Sequence, residues 1–152
     1  MEDNQPTRPD ASEQLLDAWL RMSLCIRGNR ILNETTFNEA AICHLLRNAD
    51  CSGMTASQLC GYTKLQKSQM NRELNGLESR GLIRRSADPK DKRKTLIWLT
   101  DEGDALYCQE HDRVLNIFGN ITDELGNREA AMLASALSIA TNVAEKTIRE
   151  EF

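Results

Sequence analysis

Residues 82–99 break the rhythm of this chain. On either side of them, apolar residues recur every three or four positions, the spacing of a buried helix face. Inside the segment, "LIRRS" and "TLIWL" are short runs with β-branched or aromatic residues, and they flank the polar, Pro-bearing stretch around "SADPKDKRK". Two such runs joined by a turn read as a β-hairpin. One small hairpin inside an otherwise helical chain restricts the fold to a mainly α class with a β-wing.

The helical parts carry their own punctuation. Residues 1–11 hold two of the three prolines and little apolar content, as expected of a disordered arm. From Ser12, the positions Leu15, Trp19, Met22 and Ile26 form a stripe that predicts a helix to about Leu32, with Gly28 weakening its last turn. "TFNE" (Thr36 to Glu39) is a capping box, opening a helix that should bury Ile42, Leu45 and Leu46 and end near "DCSG". "TASQ" (Thr55 to Gln58) is a second capping box, opening a short helix around Leu59. Met70, Leu74 and Leu77 mark the next helix, and Gly81 stands where a left-handed C′ residue ends it. After the hairpin, Thr100 caps a helix with acids in its first turn and the stripe Tyr107, His111, Val114, Phe118, Ile121. The last helix spans about Asn127 to Glu150, with Leu133, Leu137, Ala140, Ala144 and Ile148 on one face. No repeat and no second domain is evident, so residues 12–152 are read as a single domain.

The 152 residues suffice for one well-buried core. No stretch approaches the ~18 apolar residues that a membrane span needs, and "MEDNQPTRPD" does not open a signal peptide. Five scattered cysteines without a CxxC pair suggest reduced thiols and a cytoplasmic location. The net charge of −4 conceals an asymmetry. Between Gly53 and Leu99 there are ten Lys or Arg against four acids, a net of +6, which leaves −10 on the rest. A basic module in an acidic frame suggests a polyanionic partner.

A short helix, a tight turn, a second helix and then a hairpin is the winged helix-turn-helix order, in which the second helix enters the DNA major groove. Opposite Met70, Leu74 and Leu77, that helix carries Gln66, Lys67, Ser68, Gln69, Asn71 and Arg72. Gln and Asn pair bidentately with adenine, while Arg and Lys suit guanine or phosphate. An enzyme would need a nucleophile–base pair, a phosphate loop or a metal centre. The GxGxxG, GxxxxGK[ST], HExxH and GxSxG patterns are all missing, so neither catalysis nor a cofactor is expected.

The stretch "MTASQLCGYTKLQKSQMNRELNGLESRGLIRRSADPKDKRKTLIWLTDEG" resembles the DNA-binding core of the MarR family of bacterial transcription regulators. The pieces that carry this resemblance are "LESRGLIRR", "DPKDKR" and "LTDEG". It implies a winged helix-turn-helix core at 53–99, flanked by dimerisation helices at 12–33 and 101–152. It further implies a homodimer on a pseudo-palindromic double-stranded operator, acting as a repressor relieved by a small phenolic or anionic effector. Carried across, Arg93 is the wing-tip arginine that enters the minor groove, Asp91 holds its guanidinium, with Asp88 the alternative holder, and Lys90, Lys92 and Lys94 contact phosphate. The sequence departs from the family pattern at Lys64 and Gln66, where a small residue and a serine are common; glutamine is a poor N-cap.

Three other readings arise. Trp19, Arg27, Arg30 and Phe37 stand in elements that could line an effector site, although packing explains such residues more often. Cys25, with Arg21 four residues before it, would serve a thiol-based redox sensor. Cys108 and His111 have metal-ligand spacing, but His111 also continues an apolar stripe and is expected to be packed, leaving no metal site. A winged helix that binds a protein instead of DNA is the competing function.

Overall fold

A computed structural model describes residues 10–28, 31–49 and 53–151. Its elements run α1 (Ala11–Gly28), α2 (Phe37–Asn48), α3 (Ala56–Thr63), α4 (Lys67–Ser79), β1 (Ile83–Ala87), β2 (Thr95–Leu99), α5 (Asp101–Leu125) and α6 (Asn127–Glu151). The proposed N-terminal arm lies outside the described residues except for its last two. Ala11 opens the first helix, and Asp10 just before it accepts from the Gln14 amide with its carbonyl at 3.0 Å.

Both capping boxes form. Thr36 Oγ1 accepts from the Glu39 amide at 3.1 Å while Glu39 Oε2 accepts from the Thr36 amide at 2.9 Å. Thr55 Oγ1 accepts from the Gln58 amide at 3.2 Å, and Gln58 Oε1 accepts from the Thr55 amide at 2.8 Å. Each box satisfies two amides that a helix start leaves without partners. Gly81 takes φ +72° after α4, as its place at the end of the stripe demands.

Strands β1 and β2 pair antiparallel with Ile83 opposite Leu99 and Arg85 opposite Ile97. Met54 adds a bridge on the far side of β2, its amide donating to the Ile97 carbonyl at 3.0 Å and its carbonyl accepting from the Ile97 amide at 2.8 Å. The core gathers Ile42 from α2, Leu59 from α3, Met70, Leu74 and Leu77 from α4, and Ile97 from β2, all essentially inaccessible. Burying each large aliphatic side chain contributes roughly 1.5–3 kcal/mol. These six therefore join α2 to the winged-helix segment and make the two together the cohesive part of the chain.

Outside that segment the sequence stripes meet different fates. Helix α1 is described to Gly28, and residues 31 and 32 are not helical, so it does not reach Leu32; Leu32 is half-buried in the connection to α2, whose backbone is bonded to Glu110 of α5. Leu45 is half-buried, with Cys43 taking the third inward position of α2. In α5 the buried residues are Gly103 and Glu110; His111 and Phe118 of the expected apolar stripe are exposed. The reason is that α5 packs against α2 and β2 only near its start and then leaves the winged module. His111 accordingly stacks on Tyr107, with centroids 5.4 Å apart, and does not enter a core. Helix α6 follows through Gly126 and leaves Leu133, Leu137 and Ile148 exposed, as are Leu15, Trp19 and Leu24 of α1.

The join between hairpin and α5 leaves no room for a side chain at Gly103. Thr100 donates its amide to the Leu82 carbonyl at 3.0 Å and its hydroxyl to the Gly81 carbonyl at 2.7 Å, then accepts from the Gly103 amide at 3.0 Å. A Cβ on Gly103 would collide with the Leu82 carbonyl, whereas Gly61 on α3 faces open space. Gly103→Ala should therefore lower unfolding stability by about 1–3 kcal/mol through overpacking. Gly61→Ala should raise it by about 0.5–1 kcal/mol through helix propensity. Urea denaturation at one fixed protein concentration checks both; equal effects of the two substitutions would contradict the packing account.

Candidate nucleic-acid interface

The turn between α3 and α4 is built around Lys64, the one non-glycine described residue with positive φ, at +59°. A left-handed conformation costs a non-glycine residue roughly 1–2 kcal/mol, and local bonds offset it here. The Lys64 amide donates to the Cys60 carbonyl at 2.9 Å, and its ammonium curls back to the Gly61 carbonyl at 2.8 Å. Gln66 is the N-cap of α4 and makes no side-chain capping bond. The helix begins at Lys67, the Met70 amide donating to the Gln66 carbonyl at 2.8 Å.

This start sets the faces of α4. Met70, Leu74 and Leu77 point into the core, while Gln66, Lys67, Ser68, Asn71 and Arg72 are exposed and Gln69 is half-buried. The far half of the helix is tied to the wing by Arg85, whose Nη2 donates to Asn75 Oδ1 at 2.9 Å and whose Nε lies 3.3 Å from Glu78. On the other face of the hairpin, the Arg84 guanidinium lies 4.5 Å from the Trp98 ring centroid, a cation–π stack. Sequence reasoning left Asn75, Arg84 and Arg85 aside. The signal was there: Asn75 follows Asn71 by four residues, and the "RR" pair alternates sides of a strand.

At the wing tip two aspartates shape the turn. The Asp88 amide donates to the Lys94 carbonyl at 2.9 Å, and the Lys94 amide to the Asp91 carbonyl at 2.8 Å. Asp88 Oδ1 accepts from the Lys90 amide at 2.8 Å, and Asp91 Oδ1 accepts from the Arg93 amide at 3.1 Å. Asp91 thus holds the backbone of Arg93, with its second oxygen 3.7 Å from the Lys94 ammonium. Among the described residues, neither Asp91 nor Asp88 is bonded to the Arg93 guanidinium. The expected Asp91–guanidinium clasp is replaced by a side-chain-to-backbone turn of the kind Asp favours. Lys90, Lys92, Arg93 and Lys94 project from that turn and are exposed.

The remaining candidates do not join this surface. Trp19 and Phe37 are exposed, on α1 and at the first position of α2. The Arg27 side chain and Arg30 lie outside the described residues. Cys25 is exposed on α1, and Arg21, weighed as its activating cation, faces Asp17 at 3.9 Å. Cys108 does not turn to His111. It takes a hydrogen bond from Arg47 Nη1 at 2.6 Å, and Arg47 also lies 3.3 Å from Asp104. No cluster of metal-ligating side chains occurs among the described residues. Burial, then the charge of Glu39, pushes the Cys43 thiol up to about 11, so it is a small core hydrophobe at neutral pH.

Comparison with known proteins places these elements. Residues 41–94 match the model of the MarR family. A curated relative, the transcriptional regulator HosA of Escherichia coli O111:H-, is 38% identical over 58 residues. That match spans 38% of this chain and 43% of the relative, less than half of its length. Two mutants of MepR from S. aureus share the fold at 17% identity. One superimposes with a TM-score of 0.73, covering 90% of this chain and 99% of the other; the second, bound to an oligodeoxyribonucleotide, gives 0.60 over 87% and 97%. The PcaV regulator of Streptomyces coelicolor, in complex with its natural ligand, gives a TM-score of 0.70 at 21% identity, over 89% and 94%.

Asp91→Ala removes the acceptor for the Arg93 amide from an exposed tip. Global stability should change by less than about 0.5 kcal/mol, while the Arg93 amide exchanges faster and its NMR signal moves. An unmoved Arg93 amide would mean that the turn holds itself without the carboxylate.

Proposed function

We propose that this chain, a member of the MarR family through its winged-helix segment, is a dimeric, sequence-specific, DNA-binding transcription regulator of the cytoplasm, and a repressor relieved by a small phenolic or anionic effector. One observation carries this reading. The exposed polar turn of α4 and the exposed basic wing tip belong to one segment, residues 53–99, with a net charge of +6, and Arg85 ties the two together.

In this reading, α4 lies in the major groove. Gln66, Lys67, Ser68, Gln69, Asn71 and Arg72 meet base edges and nearby phosphates. The wing reaches the flanking minor groove with Arg93, where a narrow A-tract groove favours an inserted arginine. Lys90, Lys92 and Lys94 contact phosphate and set affinity and salt response more than sequence choice. The loose 3.7 Å Asp91–Lys94 pair is exposed, so exchanging it for phosphate costs little. The large apolar side chains that α1, α5 and α6 leave exposed, among them Trp19, Phe118 and Ile139, support dimerisation as the way they are covered. A two-fold dimer would set two copies of α4 on half-sites about one helical turn apart, hence a palindromic operator. The oligodeoxyribonucleotide-bound MepR mutant and the ligand-bound PcaV regulator, which share this fold, support nucleic acid and effector as partner classes.

Selection of duplexes from a random pool with the full chain tests the proposal. A palindromic consensus is expected; recovery of no consensus would overturn it. Binding should weaken steeply with salt, with a log–log slope of about −0.9 per contacted phosphate. A salt-insensitive association would point to a protein partner in place of DNA. Arg93→Ala should weaken binding to the selected duplex by about 1–3 kcal/mol while leaving the dimer intact. Full affinity in that variant would remove Arg93 from the groove.

A further inference from the structure

The connection between α1 and α2 is gripped from two sides. From α5, Glu110 is only 2% exposed, and its carboxylate accepts from the Asn33 amide at 3.2 and 3.0 Å and from the Glu34 amide at 3.0 Å. From α4, Arg80 Nη2 donates to the Glu34 carbonyl at 2.8 Å, and Arg80 Nη1 donates to Glu39 Oε1 at 3.1 Å. The other Glu39 oxygen closes the capping box on Thr36. A continuous polar path thus runs from α5 through residues 33–39 to the end of α4, beside the apolar core and not through it.

Two features give this path a consequence for α4. A buried carboxylate is tolerated only while its bonds are made, so Glu110 constrains the loop backbone closely. Arg80 in turn sits at the C-cap of α4, and Asn38 Nδ2 donates to Glu73 Oε1 at 3.2 Å, two turns earlier on the same helix face. Gly76 lies between these grips, where an added Cβ would already come within 3.7 Å of Glu39 Oε1. The first turn of α2 therefore holds α4 at two points, and the loop held by Glu110 carries that turn.

We infer that Arg80 is a positioning residue for α4 and that Glu110 acts through it, so that the placement of α5 is passed by way of residues 33–36 to the helix that reads DNA. The inference rests on the reading of α4 given above. The route is specific: a shift of α5 that carries Glu110 away from the Asn33 and Glu34 amides frees the Glu34 carbonyl, and Arg80 loses one of its two anchors. No residue on the path belongs to the DNA-contacting set, so affinity changes without any change in contact chemistry.

Hydrogen exchange on the full chain, compared with Glu110→Gln and Arg80→Gln, tests the path without DNA. Glu110→Gln should raise exchange both at 31–36 and at 76–82. Arg80→Gln, at a partly exposed position, should raise it reciprocally at residues 33–34. A rise confined to the mutated side overturns the inference, and so does a uniform rise that includes 95–99, which would indicate general destabilisation. Binding to the duplex selected with the wild-type chain provides the second readout. Each variant should bind roughly three- to tenfold more weakly, and the double variant no more weakly than the worse single one, as residues in one coupled network behave. Additive losses overturn the path. Should the wild-type chain select no duplex, the DNA reading fails, and the exchange data still decide the path.

Discussion

Ile97 joins the wing to the helices, and the position of every basic group on the hairpin depends on that contact. The residue is 2% exposed, and both its amide and its carbonyl are bonded to Met54. Alternation along a strand then settles the rest. Arg85, opposite Ile97, lies on the side that meets α4, while Arg84 and Trp98 share the outer side. A slip of one residue in register would turn Ile97 outward and bury Trp98 in its place. It would also part Arg85 from Glu78 and Asn75, and the wing would no longer keep a fixed distance from α4.

Much of this architecture was legible because its determinants are local. The capping boxes at Thr36 and Thr55, the left-handed Gly81 and the period change at the hairpin each lie within a few residues of their effects. The exposed set on α4 follows from the same periodicity, because its opposite is the stripe Met70, Leu74, Leu77. What escaped was non-local. Glu110 reads as an ordinary acid on an amphipathic helix, yet it is buried by a loop 76 and 77 residues away. His111 is expected to be packed because it continues the α5 stripe, but a stripe only says that a face is apolar, not that the same chain covers it. Asp91 illustrates a third kind of difference: its proximity to Arg93 was visible, but whether it bonded guanidinium or amide depends on turn geometry that spacing does not encode.

The charge distribution also makes sense in three dimensions. The acids that open α5, Asp101, Glu102 and Asp104, sit at the positive end of that helix's dipole, close to the hairpin base. Asp104 is engaged with Arg47 of α2. Negative charge is thereby used for holding elements together, while the cations of residues 90–94 are largely left to solvent. An acidic protein and a basic wing are compatible because the two signs serve different parts of the molecule.

The uncapped start of α4 has a thermodynamic corollary. Gln66 makes no side-chain capping bond, and the first amides of a helix have no partners within it. A favourable N-cap side chain is worth about 1 kcal/mol, and this chain forgoes it at the end of α4 that faces outward. An anionic oxygen arriving at that end would act as the missing cap, so the helix is most complete when occupied. Any binding of such an oxygen to the folded helix alone would then stabilise its first turn by mass action.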